Sequence, residues 1–450
     1  MRKTVIRREA DGTNFTLIIL FIASAFLVSS FKIAKVSSSA MVAIAMLAAF
    51  ILGGLLKARF VFAAHPVQKG MLALLAWALF SLLVSRIDPS KAIPPEAYAY
   101  SWAGGLSSPD LRGASFLARL LLAAFAMNFI IEAVNTERRF FKAINWYLLF
   151  YFIVSTLVLA QFALLAVWGV EVGEIRPASV ESAFRTGGHL GESSILAGVL
   201  ASGYFLTVAF ALKKHPGLWF PEWLIKTMCI VATLALLSTL SAAWIISALL
   251  AFALAGHRHL GKRGLLALII CIAVTGALFH AEIYDSVMRK AFGELSQLNV
   301  RTYSWIAGLS IFMDNVYTGV GIGQSVFFTP EYLMDIAIKP LLNPALFSEL
   351  FLASRFPPMN TYIQWMAETG AVGLLLLFYV YYLVYRSGKR ITNPEHERIV
   401  KFGIGGALIA GAVAINTSPD YIYVGFLNFL AAMYVAGGRV FGRGRLEGGA

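Results

Sequence analysis

Apolar runs of roughly span length follow one another along most of this chain, separated by short segments rich in Lys and Arg. A helix that crosses a bilayer takes about 20 mostly apolar residues, and about twelve windows meet or approach that length. They centre on Phe15–Phe31, Ala40–Leu56, Gly70–Val84, Ser115–Ala133, Trp146–Val170, Ser193–Leu212, Trp223–Leu240, Ala242–Ala255, Gly264–Phe279, Tyr362–Tyr385, Phe402–Asn416 and Tyr421–Ala436. The seventh and eighth are short enough to form one re-entrant pair. The pattern predicts an all-α polytopic membrane protein, a single integral membrane domain over residues 1–450. The basic N-terminus precedes an apolar run as a signal sequence would. No clean small-residue cleavage site follows, so an uncleaved first span is expected.

Three polar stretches interrupt the pattern: 86–114, 171–192 and the longest, 280–361. If the N-terminus lies in the cytoplasm, all three fall on the outer side. The short inner segments then hold most of the 37 Lys and Arg, among them Arg138, Arg139, Lys213, Lys214, Arg386, Lys389 and Arg390. Short basic loops on the inner side are the arrangement that sets membrane orientation. Both termini are therefore expected to be cytoplasmic.

Composition agrees. Of 450 residues 59% are hydrophobic and only 14% charged, with mean hydropathy +0.74. A soluble chain of this length carries far more charge. The net charge of +13 would suit nucleic acid, but it is spread over short loops with no basic stripe, so no nucleic-acid partner is expected. Cys229 and Cys271 lie inside apolar runs and form no disulfide or zinc pattern. There is no HExxH, no Walker A and no Asp-rich cluster, so neither a metal nor a cofactor is expected.

Candidate chemistry gathers in the outer stretches. The second ends Phe184-Arg185-Thr-Gly187-Gly188-His189-Leu-Gly191-Glu192-Ser193 at the mouth of a span. A helix start offers unpaired N–H groups to anions, and Arg185 beside it suits a phosphate or pyrophosphate. The same residues also suit a plainly capped helix with an interfacial Arg. Arg119 lies one turn inside the fourth span, where a cation faces a cavity or snorkels to the interface. Arg301 and Trp305 share a face if their segment is helical. The Arg could clamp phosphate oxygens and the Trp could stack on a sugar; an amphipathic helix lying on the membrane is the plainer reading. Gly319-Val-Gly321-Ile-Gly323 lacks the strand–turn–helix setting of a dinucleotide site and reads as a tight turn. Asn360, Gln364 and Glu368 recur every four residues, a polar stripe on a helix entering the membrane. Such a stripe faces protein or a wet cavity rather than lipid.

In their order, these motifs resemble the O-antigen ligase and Wzy-type polymerase family of bacterial envelope glycosyltransferases, over roughly Arg176 to Tyr385. The Arg–Gly stretch before a span is Arg185 to Ser193 here. The Arg…Trp segment leading to a Gly-x-Gly turn is Arg301, Trp305, Asp314, Gly319, Gly321 and Gly323. The Glu-x-Gly-x-x-Gly helix is Glu368, Gly370 and Gly373, preceded by Asn360. Two positions depart: the family's His is Met359, and a Ser-Arg between the middle spans reads Ser241-Ala242.

The resemblance implies a GT-C-like membrane fold whose long outer loop contains short helices. It implies glycosyl transfer on the outer face of a bacterial inner membrane, without a metal. The donor would be a glycan on undecaprenyl pyrophosphate, and the other substrate a glycan acceptor. Arg185 and Arg301 would hold the leaving pyrophosphate, with Arg119, Arg176 and Arg355 in reserve. Glu192 or His189 would act as base. Trp305, Asn360 and Glu368 would contact substrate, and a flippase and a chain-length regulator would be partners. The missing His favours a repeat-unit polymerase over a ligase. A twelve-span secondary transporter and a membrane scaffold are the alternatives from other classes; a transporter predicts internal repeats and broken helices at the midplane, whereas this sequence has no visible repeat and its charged residues cluster in the outer loops.

Overall fold

The computed structural model describes residues 15–23, 32–33, 36–37, 65–91, 93, 108–168, 193–239, 242–256, 297–338, 357–414 and 425–442. The expected spans Ala40–Leu56 and Gly264–Phe279 lie outside the described residues. So do the stretch 171–192, much of 86–114, and two parts of 280–361.

The described chain is helical apart from one short pairing. After helix α1 (15–23), strands β1 (Lys32–Ile33) and β2 (Val36–Ser37) run antiparallel, with Lys32 opposite Ser37. The helices that follow are α2 (Pro66–Ile87), α3 (Pro109–Ala133), α4 (Glu137–Trp168), α5 (Ser193–Leu212), α6 (Glu222–Ser238) and α7 (Ala242–Ala251). Then come α8 (Gln297–Asp314), α9 (Ser325–Ile338), α10 (Thr361–Ser387), α11 (Gly405–Ala414) and α12 (Gly425–Phe441). Local sequence explains several starts. Pro66 and Pro109 open α2 and α3, where a missing N–H costs nothing. Asn360 caps α10, its Oδ1 accepting from the amides of Tyr362 and Ile363 at 2.9 and 3.2 Å.

Four helical stretches are long and apolar enough to cross a membrane: Pro66–Ile87, Pro109–Ala133, Glu137–Leu164 and Thr361–Arg390. Leu196–Leu212 and Leu427–Phe441 are shorter apolar helices. Their outer surfaces stay greasy. Leu79, Phe80 and Leu83 on α2, and Leu375, Phe378 and Tyr382 on α10, are all exposed. A soluble protein would hide such stripes, whereas hydrocarbon accommodates them.

Inside, small residues let helices close up. Gly70 of α2 sits against Val380 and Leu383 of α10, where an added Cβ would lie 3.2 and 3.0 Å from their side chains. Gly203 of α5 lies under the ring of Tyr151 from α4, with no room for a methyl group. The Tyr151 hydroxyl donates to Leu200 O at 2.7 Å, and the Tyr147 hydroxyl meets Ser202 Oγ at 3.0 Å. In an apolar interior each polar group must find such a partner. α2 packs on α10 and α3, α3 on α12, α5 on α6 and α11, and α8 on α9 and α10.

The basic end of the bundle is tied by side chains. Asn145 takes the amide of Trp219 at 3.0 Å and donates to Gly217 O at 2.9 Å, fixing the link between α5 and α6 to α4. His215 in that link stacks on Phe141 at 3.9 Å between centroids, and its Nδ1 accepts from Gly217 N at 3.0 Å. Burial pushes the His215 imidazole below its ordinary value of 6.5, against the pull of Glu395 and Glu137. A lowered value means that the folded protein prefers neutral His215. Its contribution is complete above about pH 6.5 and is lost as the pH falls through the lowered value. The thermal midpoint of the solubilised protein should therefore fall between pH 7.5 and pH 5.5, and His215→Gln should flatten the slope. An unchanged slope in the variant would contradict this.

Candidate functional site

Helix α10 is broken at Gly370, whose φ of 70° and ψ of −172° are not helical. A break strands backbone groups that the next turn would have paired. Within a membrane this is tolerated only where protein supplies new partners, and a turn of the segment 315–324 supplies them. Val320 N donates to Ala367 O at 3.0 Å, Gly321 N to Glu368 O at 2.9 Å, and Ala371 N to Val316 O at 2.7 Å. α2 completes the set. Trp77 Nε1 donates to Thr369 O at 2.8 Å. The Ser81 hydroxyl lies 2.8 Å from Glu368 O and 2.7 Å from Thr318 O, sharing one proton between them.

The turn can come this close because of its glycines. Gly319, Gly321 and Gly323 have φ of 67°, 99° and 75°, a region that costs other residues free energy. A Cβ on Gly319 would collide with the backbone of Glu368, and one on Gly370 with the carbonyl of Tyr317. The tight turn expected from the Gly-x-Gly-x-Gly spacing is present.

Glu368 grips the same turn with its side chain. It is 1% exposed. Oε2 accepts from Gly323 N at 2.8 Å, while Oε1 accepts from Ser325 Oγ at 2.7 Å and from Gln364 Nε2 at 3.0 Å. Two cations hold the outward-facing carbonyls. Lys91 Nζ reaches Thr318 Oγ1 and Gly319 O, both at 2.8 Å. Arg112 Nε reaches Gly323 O at 2.9 Å. Both side chains are buried. Burial lowers the Lys91 ammonium below its usual value, partly offset by Asp88. Gln324 Nε2 adds a bond to Pro109 O at 2.8 Å at the start of α3.

The site residues read from the sequence divide into three groups. Arg301, Trp305 and Asn360 come together. Trp305 Nε1 donates to Met359 O at 3.1 Å, and Met359 N donates at 3.1 Å to Ser304 Oγ, one turn from Arg301. Gly308 presses on Pro358 and Ile363, so α8 lies flush against the entry to α10. Arg301 and Trp305 are half-buried at this seam. Glu368 lies further along α10, both carboxylate oxygens engaged by the protein itself. Arg119 is exposed on α3, its guanidinium 5.4 Å from the Phe116 ring. Arg176, Arg185, His189, Glu192 and Arg355 lie outside the described residues. Asp314 accepts the Tyr332 hydroxyl at 2.7 Å, joining α8 to α9.

Sequence reading missed Lys91, Arg112, Trp77 and Ser81. Each sits in a segment with no motif, and Lys91 meets a partner 227 positions away.

Among the described residues, Glu137, His215 and His396 could gather round a metal ion, their ligand atoms within 4.8 Å of one another. They lie at the basic end, not at the turn. His215 Nδ1 already accepts from Gly217 N, so in the neutral ring the proton sits on Nε2. That nitrogen faces Glu137 at 3.9 Å and has no lone pair for a cation, so this arrangement does not fit a metal.

Gly370→Ala should destabilise the protein by at least about 1–2 kcal/mol, the cost of a left-handed non-glycine residue, with the collision added. Leu375→Ala, at an exposed site of the same helix, should stay within about 0.5 kcal/mol. Thermal midpoints in detergent compare the two, and equal shifts would count against a required break.

Residues 227–378, which include the turn and the break, match the family model described as O-Antigen ligase. The chain is also 28% identical over 244 residues to the "Exopolysaccharide production protein ExoQ" of Rhizobium meliloti (strain 1021). That match covers 51% of this chain and 53% of the relative, so it spans about half the length of each.

Proposed function

We propose that this chain, a membrane protein of the O-antigen ligase/polymerase family, is a glycosyltransferase that polymerises lipid-linked oligosaccharide repeat units. The observation that carries the reading is the coincidence of the family match with the clamped turn and broken helix. Among the described residues, all four glycines with positive φ, including the break in α10, fall within the segment shared with a glycan-processing family. Irregular backbone at membrane depth is kept only where it is buried in protein or lines a water-filled cavity.

In this reading the donor is a glycan on undecaprenyl pyrophosphate. The hydroxyl of the acceptor glycan attacks the anomeric carbon, and its proton passes to a base. The bond from that carbon to the pyrophosphate oxygen breaks, and the lipid pyrophosphate leaves with the electron pair. It is a good leaving group, so the protein's main task is to hold cations where its charge develops. Arg301 fills that role beside Trp305 at the seam of α8 and α10, and Arg185 is assigned to the same task, with Arg119, Arg176 and Arg355 in reserve. Glu192 or His189 serves as base, because Met359 stands where the family's His is expected. Glu368 and Asn360 move from substrate contact to positioning. Their acceptor oxygens hold the turn and the helix start.

The wider arrangement belongs to the same proposal: about twelve spans of a bacterial inner membrane, both termini cytoplasmic, a GT-C-like fold, metal-independent chemistry on the outer face, and a flippase and chain-length regulator as partners. Ligation to a separate acceptor is the second reading, favoured by the ligase description of the matching family model. The word exopolysaccharide in the relative's name favours polymerisation.

Surface glycan from a deletion strain separates the readings. Polymerisation predicts single repeat units in the deletion, a ladder restored by wild type, and a roughly ten- to hundredfold loss of polymer in stably expressed Arg301→Ala or Arg185→Ala. That range is the worth of one charge-assisted contact, about 1.5–3 kcal/mol. Lipid-linked polymer accumulating without attached glycan would mean ligation. Unchanged glycan would remove both.

A further inference from the structure

We infer a second binding site at the opposite end of α10 from the glycine turn, for one acyl chain of an anionic phospholipid. A cavity of about 540 Å³ lies between α2, α3, α10, α11 and α12. That volume is within the roughly 300–1,000 Å³ of ligand sites. Its walls are hydrocarbon: Met71, Leu120, Met127, Leu377, Val380 and Ala431 supply much of the lining. Its charged groups, Lys389, Glu397 and Lys401, stand together at the mouth, and Tyr381, Asn428 and Tyr434 add uncharged polar groups to the lining. A largely apolar barrel with a charged rim fits an amphiphile.

Length and charge select the occupant. The lining runs from Leu377 on α10 to Lys389 in the short turn just past its end, about 18 Å at roughly 1.5 Å per residue. One leaflet is about 15 Å deep, half of a hydrocarbon core of about 30 Å. The cavity therefore matches one chain of one leaflet. At the mouth, Lys401 is already paired with Glu397 at 3.0 Å and bonded to Ile391 O at 3.2 Å. Lys389 is not so used. It is exposed, lies 5.3 Å from the centroid of the Tyr385 ring, and has no carboxylate partner among the described residues. Arg386 and Arg390 flank it, also exposed and without an ion pair among the described residues. The rim thus carries uncompensated positive charge, which attracts an anionic headgroup.

The direction of the cavity separates it from the donor site. α10 runs from the seam at Asn360, through the break at Gly370, to the cavity and then to its basic end. A lipid whose pyrophosphate rests near the turn would bring its charge to the wrong end of this barrel. The inference does not depend on the proposed reaction.

The test uses the purified full chain, exchanged into nanodiscs of equimolar phosphatidylglycerol and phosphatidylcholine, then released and weighed by native mass spectrometry. The site predicts one retained phosphatidylglycerol per chain in preference to phosphatidylcholine. Lys389→Glu should lower that preference about fivefold or more, as expected for a surface cation. Ala431→Trp, which fills the barrel, should abolish retention. Equal retention of the two lipids in the wild type, or a preference untouched by Lys389→Glu, would overturn the site. Displacement of the phospholipid by equimolar undecaprenyl phosphate would overturn it too, by making the barrel part of substrate binding. A phosphatidylglycerol with a photoreactive acyl chain needs no variant. Cross-links to the α10 and α11 lining support the site, and cross-links confined to the outer surface of the bundle contradict it.

Discussion

The carbonyls released where α10 breaks must be hydrogen-bonded, and much of the structure around them follows from that need. A membrane-embedded helix that stops and restarts leaves polar backbone in a medium that offers no partner. Here Ala367, Glu368 and Thr369 expose their carbonyls, and the amides of Val320 and Gly321 with the side chains of Ser81 and Trp77 cover them. The turn that brings those amides must lie against α10 without intervening side chains, which requires Gly319 and the left-handed conformations of Gly321 and Gly323. Glu368 then locks the far side of the turn, and Lys91, just past α2, and Arg112 of α3 hold its carbonyls. The left-handed backbone at four glycines, which only glycine adopts cheaply, is what permits this set of hydrogen bonds.

This linkage gives the fold two unlike ends. At one, α8 is stitched to the start of α10 through Trp305, Ser304 and Met359, with Arg301 beside the seam. The rigid turn beneath fixes where that seam lies, and rigid support is what a site for transferring charge requires. At the other, α10 emerges among Arg386, Lys389 and Arg390 beside an apolar cavity. In the proposed reading the first end is the one that serves glycosyl transfer. The second suits an anionic lipid of the opposite leaflet.

How much of this was legible in the sequence depends on the range of the interaction. The spans were legible because hydrophobic length is a local property: Ser115–Ala133 was expected and α3 runs Pro109–Ala133, and Tyr362–Tyr385 became α10 over Thr361–Ser387. The glycine turn was also legible, since the spacing of Gly319, Gly321 and Gly323 has few other uses. The break at Gly370 was not, because Gly370 falls inside the expected span Tyr362–Tyr385 and a single glycine does not by itself stop a helix. The stripe of Asn360, Gln364 and Glu368 was seen but not its object. Periodicity shows that polar groups share a face, not whether that face meets a substrate or another loop. Lys91 and Arg112 look like ordinary loop and helix-end charges until the fold brings them to partners 227 and 211 positions away. The short β1–β2 pairing carries no pattern long enough to read.

The central claim is that Glu368, buried and apart from the reacting groups, sets the geometry in which glycosyl transfer occurs. Its most direct test is the rate at which the purified full chain converts a lipid-linked repeat unit into polymer, compared with Glu368→Gln. The substitution keeps shape and volume but puts a donor where Gly323 N or Ser325 Oγ needs an acceptor. The account predicts a folded, monodisperse variant whose transfer rate falls at least about tenfold, the equivalent of one charge-assisted hydrogen bond. A monodisperse variant that polymerises at the wild-type rate would contradict it.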